Sequence, residues 1–161
     1  MTATAFISAV LLLLGLATAP SVSSAAEPIY INTYGSDWGL WARGHCLLSA
    51  RAEVETLEIE AVTLQPNRNY PQALEIAGFG LSAAYVNAAT GEPLGRQAAS
   101  GPRIDYAVSL APDGKHVVED LILQVPRGRL PGAKAARVLV LHIFMSSGSA
   151  FEIEVARRME S

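Results

Sequence analysis

Two segments near the C-terminus decide the fold: VLVLHIFM at residues 138–145 and FEIEV at residues 151–155. The first is apolar almost throughout, which is typical of a strand in the middle of a sheet. The second alternates apolar and acidic residues, which is typical of a strand with one face in water. The small polar residues SSGS at 146–149 join them as a turn. The sequence therefore predicts a β-hairpin in which a central strand pairs with a more exposed neighbour.

Further strand patterns precede this hairpin. Apolar and polar residues alternate over 104–110, and 117–125 follows as another strand. These two strands either form a hairpin or cross between sheets. Residues 74–86 also have strand composition, but Gly78 and Gly80 interrupt them. Paired glycines inside a strand usually mark a bulge or a close approach of the backbone.

Residues 46–65 fit two patterns. Apolar residues at intervals of three and four would form one face of a helix over 47–64. Against this, apolar residues alternate with Glu58 and Glu60, and apolar side chains also occupy the polar face of that helix. We therefore predict two pieces of strand, with an irregularity near Glu55–Thr56 where the alternation changes phase. Four glutamates are expected on a solvated strand face: Glu53, Glu55, Glu58 and Glu60.

These patterns predict an all-β fold, an antiparallel two-sheet β-sandwich of seven to nine strands in immunoglobulin-like or jelly-roll style. A single domain is expected over residues 27–161, because about 135 residues is an ordinary domain size. The alternative is an α+β fold in which one helix at 47–64 packs on a sheet.

The first 26 residues have the pattern of a cleaved secretory signal. An apolar block over Ala5–Ala19 is followed by small residues up to Ala26, which suit a signal peptidase. The block lacks a preceding Lys or Arg, and its alternative role is a membrane anchor. It is shorter than the roughly 20 apolar residues that a span needs. We expect a periplasmic or secreted protein with no membrane span after cleavage.

The charge balance argues against nucleic acid as a partner. The chain has 12 Lys and Arg against 15 Asp and Glu, a formal net charge of −3, and its cations are spread along the sequence. Binding to nucleic acid depends strongly on neutralising phosphates with clustered cations. Arg127, Arg129, Lys134 and Arg137 form the densest basic segment. We expect it to be a solvated loop, with an anion site as the alternative.

Aromatic residues concentrate at the start of the predicted domain. Four of the eleven lie within residues 27–45, among glycines that disfavour a helix. The candidate ligand-binding residues are Tyr34, Trp38 and Trp41, with both tryptophans on an irregular or strand-edge segment. Such rings stack on sugars or anchor a protein partner. The alternative is that both tryptophans cover one end of the core.

The remaining reactive side chains follow no known catalytic motif. Cys46 is the only cysteine, so no internal disulfide can form. We expect it to be a buried apolar group, with an intermolecular bridge or a reactive thiol as alternatives. His45 precedes it, but adjacent strand residues point to opposite faces. His142 lies among apolar neighbours and is expected to be a hydrogen-bonded structural histidine.

These observations favour an exported, non-catalytic binding or assembly module with a protein or carbohydrate partner, no cofactor and no metal. Its oligomeric state and the identity of its ligand do not follow from the sequence. The alternative function is a small periplasmic enzyme or metal-handling protein that uses Cys46 or His142. An accessible thiol or imidazole would favour this alternative, whereas an exposed aromatic surface would favour binding.

Overall fold

The computed structural model describes residues 25–51, 53–69, 75–94, 99–109, 115–128, 132 and 134–159. Within these residues the chain is all-β: it forms nine strands and no helix. The strands are β1 (Glu27–Gly35), β2 (Leu40–Ala50), β3 (Val54–Pro66), β4 (Glu75–Asn87), β5 (Ala99–Ser100), β6 (Ile104–Ser109), β7 (His116–Pro126), β8 (Ala135–Met145) and β9 (Ala150–Met159).

The strands form two antiparallel sheets that pack as a β-sandwich, as predicted. The first sheet has the order β1-β2-β3-β7, and the second has the order β5-β4-β8-β9, with β6 also pairing with β4. Strands β5 and β6 pair with successive parts of β4, so they act as one interrupted edge strand. The adjacencies β2-β3-β7 and β4-β8-β9 match the A-B-E and C-F-G adjacencies of an immunoglobulin domain.

The predicted C-terminal hairpin is confirmed. Strands β8 and β9 pair antiparallel across the turn at 146–149, and β8 lies between β4 and β9. Of the two arrangements left open for 104–110 and 117–125, the crossing is observed, since β6 belongs to the second sheet and β7 to the first. The bulge expected from the paired glycines is also present, as a shift of register between Ile76 and Gly78.

Two strands, β2 up to Ala50 and β3 from Val54, take the place of the alternative helix at 47–64, but the predicted position of the irregularity is wrong. The phase changes at Glu60, which the pairing skips where the register shifts between His45 and Cys46. On the other side of β3 the pairing leaves out Glu60 and Asp120 together, without a change of register, and Asp120 has a φ of +56°. The prediction failed because it placed charged Glu55 in solvent, whereas Glu55 is 2% exposed and points inward.

The core lies between the inner faces of the two sheets. Both sheets contribute large apolar side chains that alternate along most of their strands with more exposed residues, as a sandwich requires. Strand β8 is the exception over residues 135–139, which are buried on both faces. The largest fully buried side chains are Leu40, Leu48, Leu57, Ile59, Leu64, Ile76, Phe79, Leu81, Leu123, Leu139, Leu141 and Ile143.

A buried ion pair joins the sheets at one end of this core. Arg137 Nε lies 2.7 Å from Glu55 Oε2, without the alignment of a hydrogen bond. The same guanidinium donates to Tyr85 Oη at 3.0 Å and to the Pro126 carbonyl at 2.7 Å. The expectation of a solvated Arg137 is therefore wrong, because it belongs to β8 and its side chain points between the sheets. Lys134 is exposed, as expected.

The predicted signal segment lies mostly outside the described residues, which begin at Ala25, and β1 starts at Glu27. Within the described part of the chain, the structure contains no helix of the length and apolar character needed to cross a membrane.

Candidate functional site

Two of the three predicted ligand-binding residues lie side by side on the outer face of the first sheet. Tyr34 in β1 is directly opposite Trp41 in β2, and their ring centroids are 4.8 Å apart with planes tilted by 39°. Both rings point outward because the neighbours of Trp41, Leu40 and Ala42, point into the core. Strand β2 is paired on both sides, so Trp41 does not lie at a sheet edge. The predicted irregular or strand-edge position of Trp41 is therefore wrong.

Trp38 lies elsewhere. It belongs to the turn at 36–39 between β1 and β2, where its half-buried ring packs against the core. A Cβ atom added at Gly35 would come within 3.0 Å of both the Trp38 and the Phe151 rings, so the glycine makes room for them. The structure therefore separates Trp38 from the pair formed by Tyr34 and Trp41.

An arginine completes the aromatic pair. Arg43 follows Trp41 by two residues on the same face, and its guanidinium carbon lies 4.4 Å from the Trp41 ring centroid. Its Nε donates a hydrogen bond to Asn32 Oδ1 at 3.2 Å. Arg43 was not among the predicted site residues, although its position two residues after a strand tryptophan indicates a shared face.

The same face continues along the strands on either side. Tyr30, which is 80% exposed, lies opposite His45, whose Nε2 is 3.4 Å from Glu60 Oε2. At the other end, Asn67 Nδ2 donates to Tyr34 Oη at 3.0 Å. We call the surface formed by Tyr30, Asn32, Tyr34, Trp41 and Arg43 the aromatic face.

A second candidate site lies on the outer face of the second sheet. His142 Nε2 is 2.6 Å from Ser82 Oγ, and His142 Nδ1 is 3.4 Å from Glu152 Oε1. The imidazole is 17% exposed and the Glu152 side chain 64% exposed. The expected hydrogen-bonded histidine is confirmed. Its partners come from β4 and β9, which the sequence did not indicate.

A groove of about 640 Å³ runs past these three side chains. It exists because β4 presents only small residues outward here, namely Gly80, Ser82 and Ala84, beside the larger side chains of β8. Twelve residues line it: Gly80, Leu81, Ser82, Ala84, Gly101, Arg103, Val140, His142, Phe144, Gly148, Ala150 and Glu152.

Arg103 supplies a positive charge to this groove. Its guanidinium carbon lies 4.7 Å from the Phe144 ring centroid, and its Nε is 2.7 Å from Asp105 Oδ1. The Phe144 ring stacks on the His142 imidazole, with centroids 5.7 Å apart and planes within 8°. A Cβ atom at Gly80 would lie 2.9 Å from the Phe144 ring, so the glycine leaves room for this stack.

Cys46 has neither the access nor the ionisation that a nucleophile needs. It is fully buried in the core, and His45 points to the opposite face, as predicted. Burial, with a smaller contribution from the Glu60 carboxylate, raises the pKa of the thiol to about 11. Among the residues that the structure describes, no group of three His, Cys, Asp or Glu side chains could hold a metal ion.

We expect Cys46 to resist a thiol reagent in the native protein at pH 8 and to react once denaturant is added. Its folded pKa lies above its unfolded value, so its contribution to stability is complete below about pH 8.5 and is lost as the pH rises towards about 11. The loss is roughly 1.4 kcal/mol per pH unit in that interval. Urea unfolding at several pH values, beside a Cys46→Ala variant that lacks this effect, measures it. Rapid modification of the native thiol would contradict the prediction.

The comparisons with known proteins add little. No protein-family model and no curated protein matches the sequence. The chain is similar to the crystal structure of a protein described as ApaA from Bordetella pertussis, with 12% identity and a TM-score of 0.26. The match covers 86% of this chain and 92% of that chain. A TM-score this low does not establish a common fold, and we conclude nothing from it about function.

Proposed function

We propose that this chain is an exported binding module that holds an acidic segment of a protein partner on its aromatic face. Export rests on the signal pattern of residues 1–26, which suits a periplasmic or secreted protein. The single observation that carries the binding role is the guanidinium of Arg43, held outward over Trp41 by Asn32.

The arrangement pre-organises Arg43 for a carboxylate. Asn32 occupies its Nε, and the Trp41 ring supports one side of its plane, so little side-chain freedom remains to be lost on binding. The outer nitrogens of a guanidinium match the two oxygens of a carboxylate in a fork. Tyr, Trp and Arg are also the residue types that contribute most to protein interfaces.

The contacts of Trp41 favour a protein segment over a sugar as the ligand. A sugar ring needs a flat, open aromatic face, but Arg43 lies over Trp41 and Tyr34 is tilted against it. Strand β1 is one of the two edge strands of this sheet and carries part of the aromatic face, and an edge strand offers backbone groups to an added strand. A partner segment can thus pair with β1 while an Asp or Glu side chain reaches Arg43.

Selection from a random peptide library on the immobilised protein tests this proposal. We expect the enriched peptides to share an Asp or Glu, and Arg43→Gln to weaken their binding about tenfold or more, because the charge-paired fork is lost. Arg43→Lys should recover only part of the affinity, since lysine cannot make the fork. Arg157→Gln is the matched control. Arg157 is an exposed arginine that pairs with Glu154, and both residues lie in β9 of the second sheet, away from the aromatic face.

Two outcomes would overturn the proposal. One is enrichment of peptides that share no acidic residue, or whose affinity Arg43→Gln leaves unchanged. The other is binding of a neutral oligosaccharide that Tyr34→Ala abolishes and Arg43→Gln does not affect, which would make the ligand a carbohydrate.

A further inference from the structure

The structure also assigns a catalytic site to the second sheet. We infer that Ser82 is an acyl-accepting nucleophile, that His142 is its general base and that Glu152 positions the imidazole. The inference rests on the two contacts of His142, at 2.6 Å to Ser82 Oγ and at 3.4 Å to Glu152 Oε1, in the floor of a groove. It concerns the opposite face of the sandwich and is independent of the aromatic face.

The register of three adjacent strands creates this chain of contacts. His142 in β8 is directly opposite Glu152 in β9 and Gly80 in β4, and Ser82 follows Gly80 by two residues on the same face. Glu152 Oε1 lies 3.4 Å from Nδ1, without the alignment of a hydrogen bond. The negative charge beside Nδ1 still favours the tautomer with the proton on Nδ1, which leaves Nε2 to accept the Ser82 hydroxyl proton. A nucleophile bonded to a base that a third group orients is the arrangement of an activated serine.

The volume and the charge of the groove indicate which class of substrate it fits. Its volume of about 640 Å³ suits a small molecule. Small residues on β4 leave the Ser82 hydroxyl open towards this space, and Arg103 places a positive charge in the same groove. The Arg103 Nε is paired with Asp105, which leaves the outer nitrogens of the guanidinium for a ligand. The geometry therefore fits a small ester whose acyl chain ends in a carboxylate that these outer nitrogens bind.

The reaction divides into two balanced steps. Ser82 Oγ forms a bond to the ester carbonyl carbon while its proton passes to His142 Nε2, and the carbon–oxygen bond to the leaving alcohol then breaks as His142 returns the proton to that alcohol. Water next attacks the acyl-serine, gives its proton to His142 and releases the acid, and the proton returns to Ser82.

Acylation of Ser82 is expected to be slow compared with that of a serine hydrolase that has an oxyanion hole. At Ser82, strand β4 is paired with Val140 on one side and Ser100 on the other. Its backbone amides are therefore engaged in sheet pairing and are not free to bind an oxyanion. Without such amides, a tetrahedral oxyanion loses a stabilisation worth roughly 100-fold or more in rate. Covalent labelling is therefore a better first readout than turnover.

The test treats the purified protein with a fluorophosphonate and locates the adduct by peptide mass mapping. We expect one adduct on Ser82, none in Ser82→Ala, and labelling about 100-fold slower in His142→Gln because the base is lost. Ser147→Ala in the β8–β9 turn and His45→Gln on the first sheet are the matched controls and should label normally. Thermal unfolding confirms that each variant is folded.

Ester substrates test the other two residues. A chromogenic ester with a terminal carboxylate should acylate the protein faster than its neutral analogue, and Arg103→Gln should remove this preference. Glu152→Gln should lower the acylation rate without changing KM, and Glu152→Asp should restore part of it. Failure of Ser82 to label in the folded protein, or labelling that His142→Gln leaves unchanged, would overturn the inference.

Discussion

Replacing Glu55 by glutamine is expected to destabilise the protein by about 3 to 5 kcal/mol, because it leaves a buried arginine without its counter-charge. Arg137 and Glu55 are 5% and 2% exposed, so water cannot take the place of the lost carboxylate. The remaining contacts of the guanidinium, to Tyr85 Oη and the Pro126 carbonyl, are neutral acceptors. They satisfy donors but do not balance the charge.

Urea unfolding followed by circular dichroism measures this effect. The surface pair of Arg158 and Glu27, whose side chains are 44% and 53% exposed, is the control. We expect Arg158→Gln to change the free energy of unfolding by only about 0 to 1 kcal/mol. A double variant with Glu55→Gln and Arg137→Met should be more stable than Glu55→Gln alone, since no unpaired charge remains. Equal losses for the single and the double variant would contradict this explanation.

Replacing Phe79 by alanine is expected to cost about 3 to 5 kcal/mol, because it leaves a large cavity in the middle of the sandwich. Phe79 is 1% exposed and lies in β4 between Ile143 of β8 and Ile104 of β6. Both neighbouring strands hold its backbone, so the surrounding side chains have little freedom to close the space.

The control for Phe79 is the ring that it touches. Tyr106 contacts Phe79 edge to face, with centroids 6.0 Å apart, but it is 41% exposed. Because Tyr106→Ala opens no enclosed cavity, we expect it to cost less than half as much. Urea unfolding of both variants gives the comparison. A Phe79→Ala variant as stable as Tyr106→Ala would contradict the prediction, because it would show that the two sheets close over the space left by the Phe79 ring.

The parts of the fold that were predictable depend on residues close together in the chain. Alternation over 151–155 and the apolar run at 138–145 reflect which strand face is buried, and both strands formed as expected. The buried state of Cys46 and its separation from His45 follow from the same period of two. Of the three candidate ligand-binding residues, Tyr34 and Trp41 contact each other and Trp38 lies apart, and their role in binding stays a prediction.

The errors at Glu55, Arg137 and the irregularity in β3 share one physical cause. Glu55 and Arg137 were each expected in solvent because an isolated charge is costly to bury. Each is buried because the other lies beside it, although 81 residues separate them along the chain. The misplaced irregularity in β3 follows from this error, since an inward Glu55 keeps the alternation in phase as far as Glu60.

The strand periods, the small polar turn and the sandwich class are visible in the local sequence, because burial of one face of a strand produces an alternation with a period of two. Which polar side chains meet depends on the folded structure. Ser82, His142 and Glu152 belong to three strands, and Arg43 acquires its role from the ring of Trp41 and the amide of Asn32. Such contacts depend on strand order and register, which long-range packing sets and local periodicity does not record.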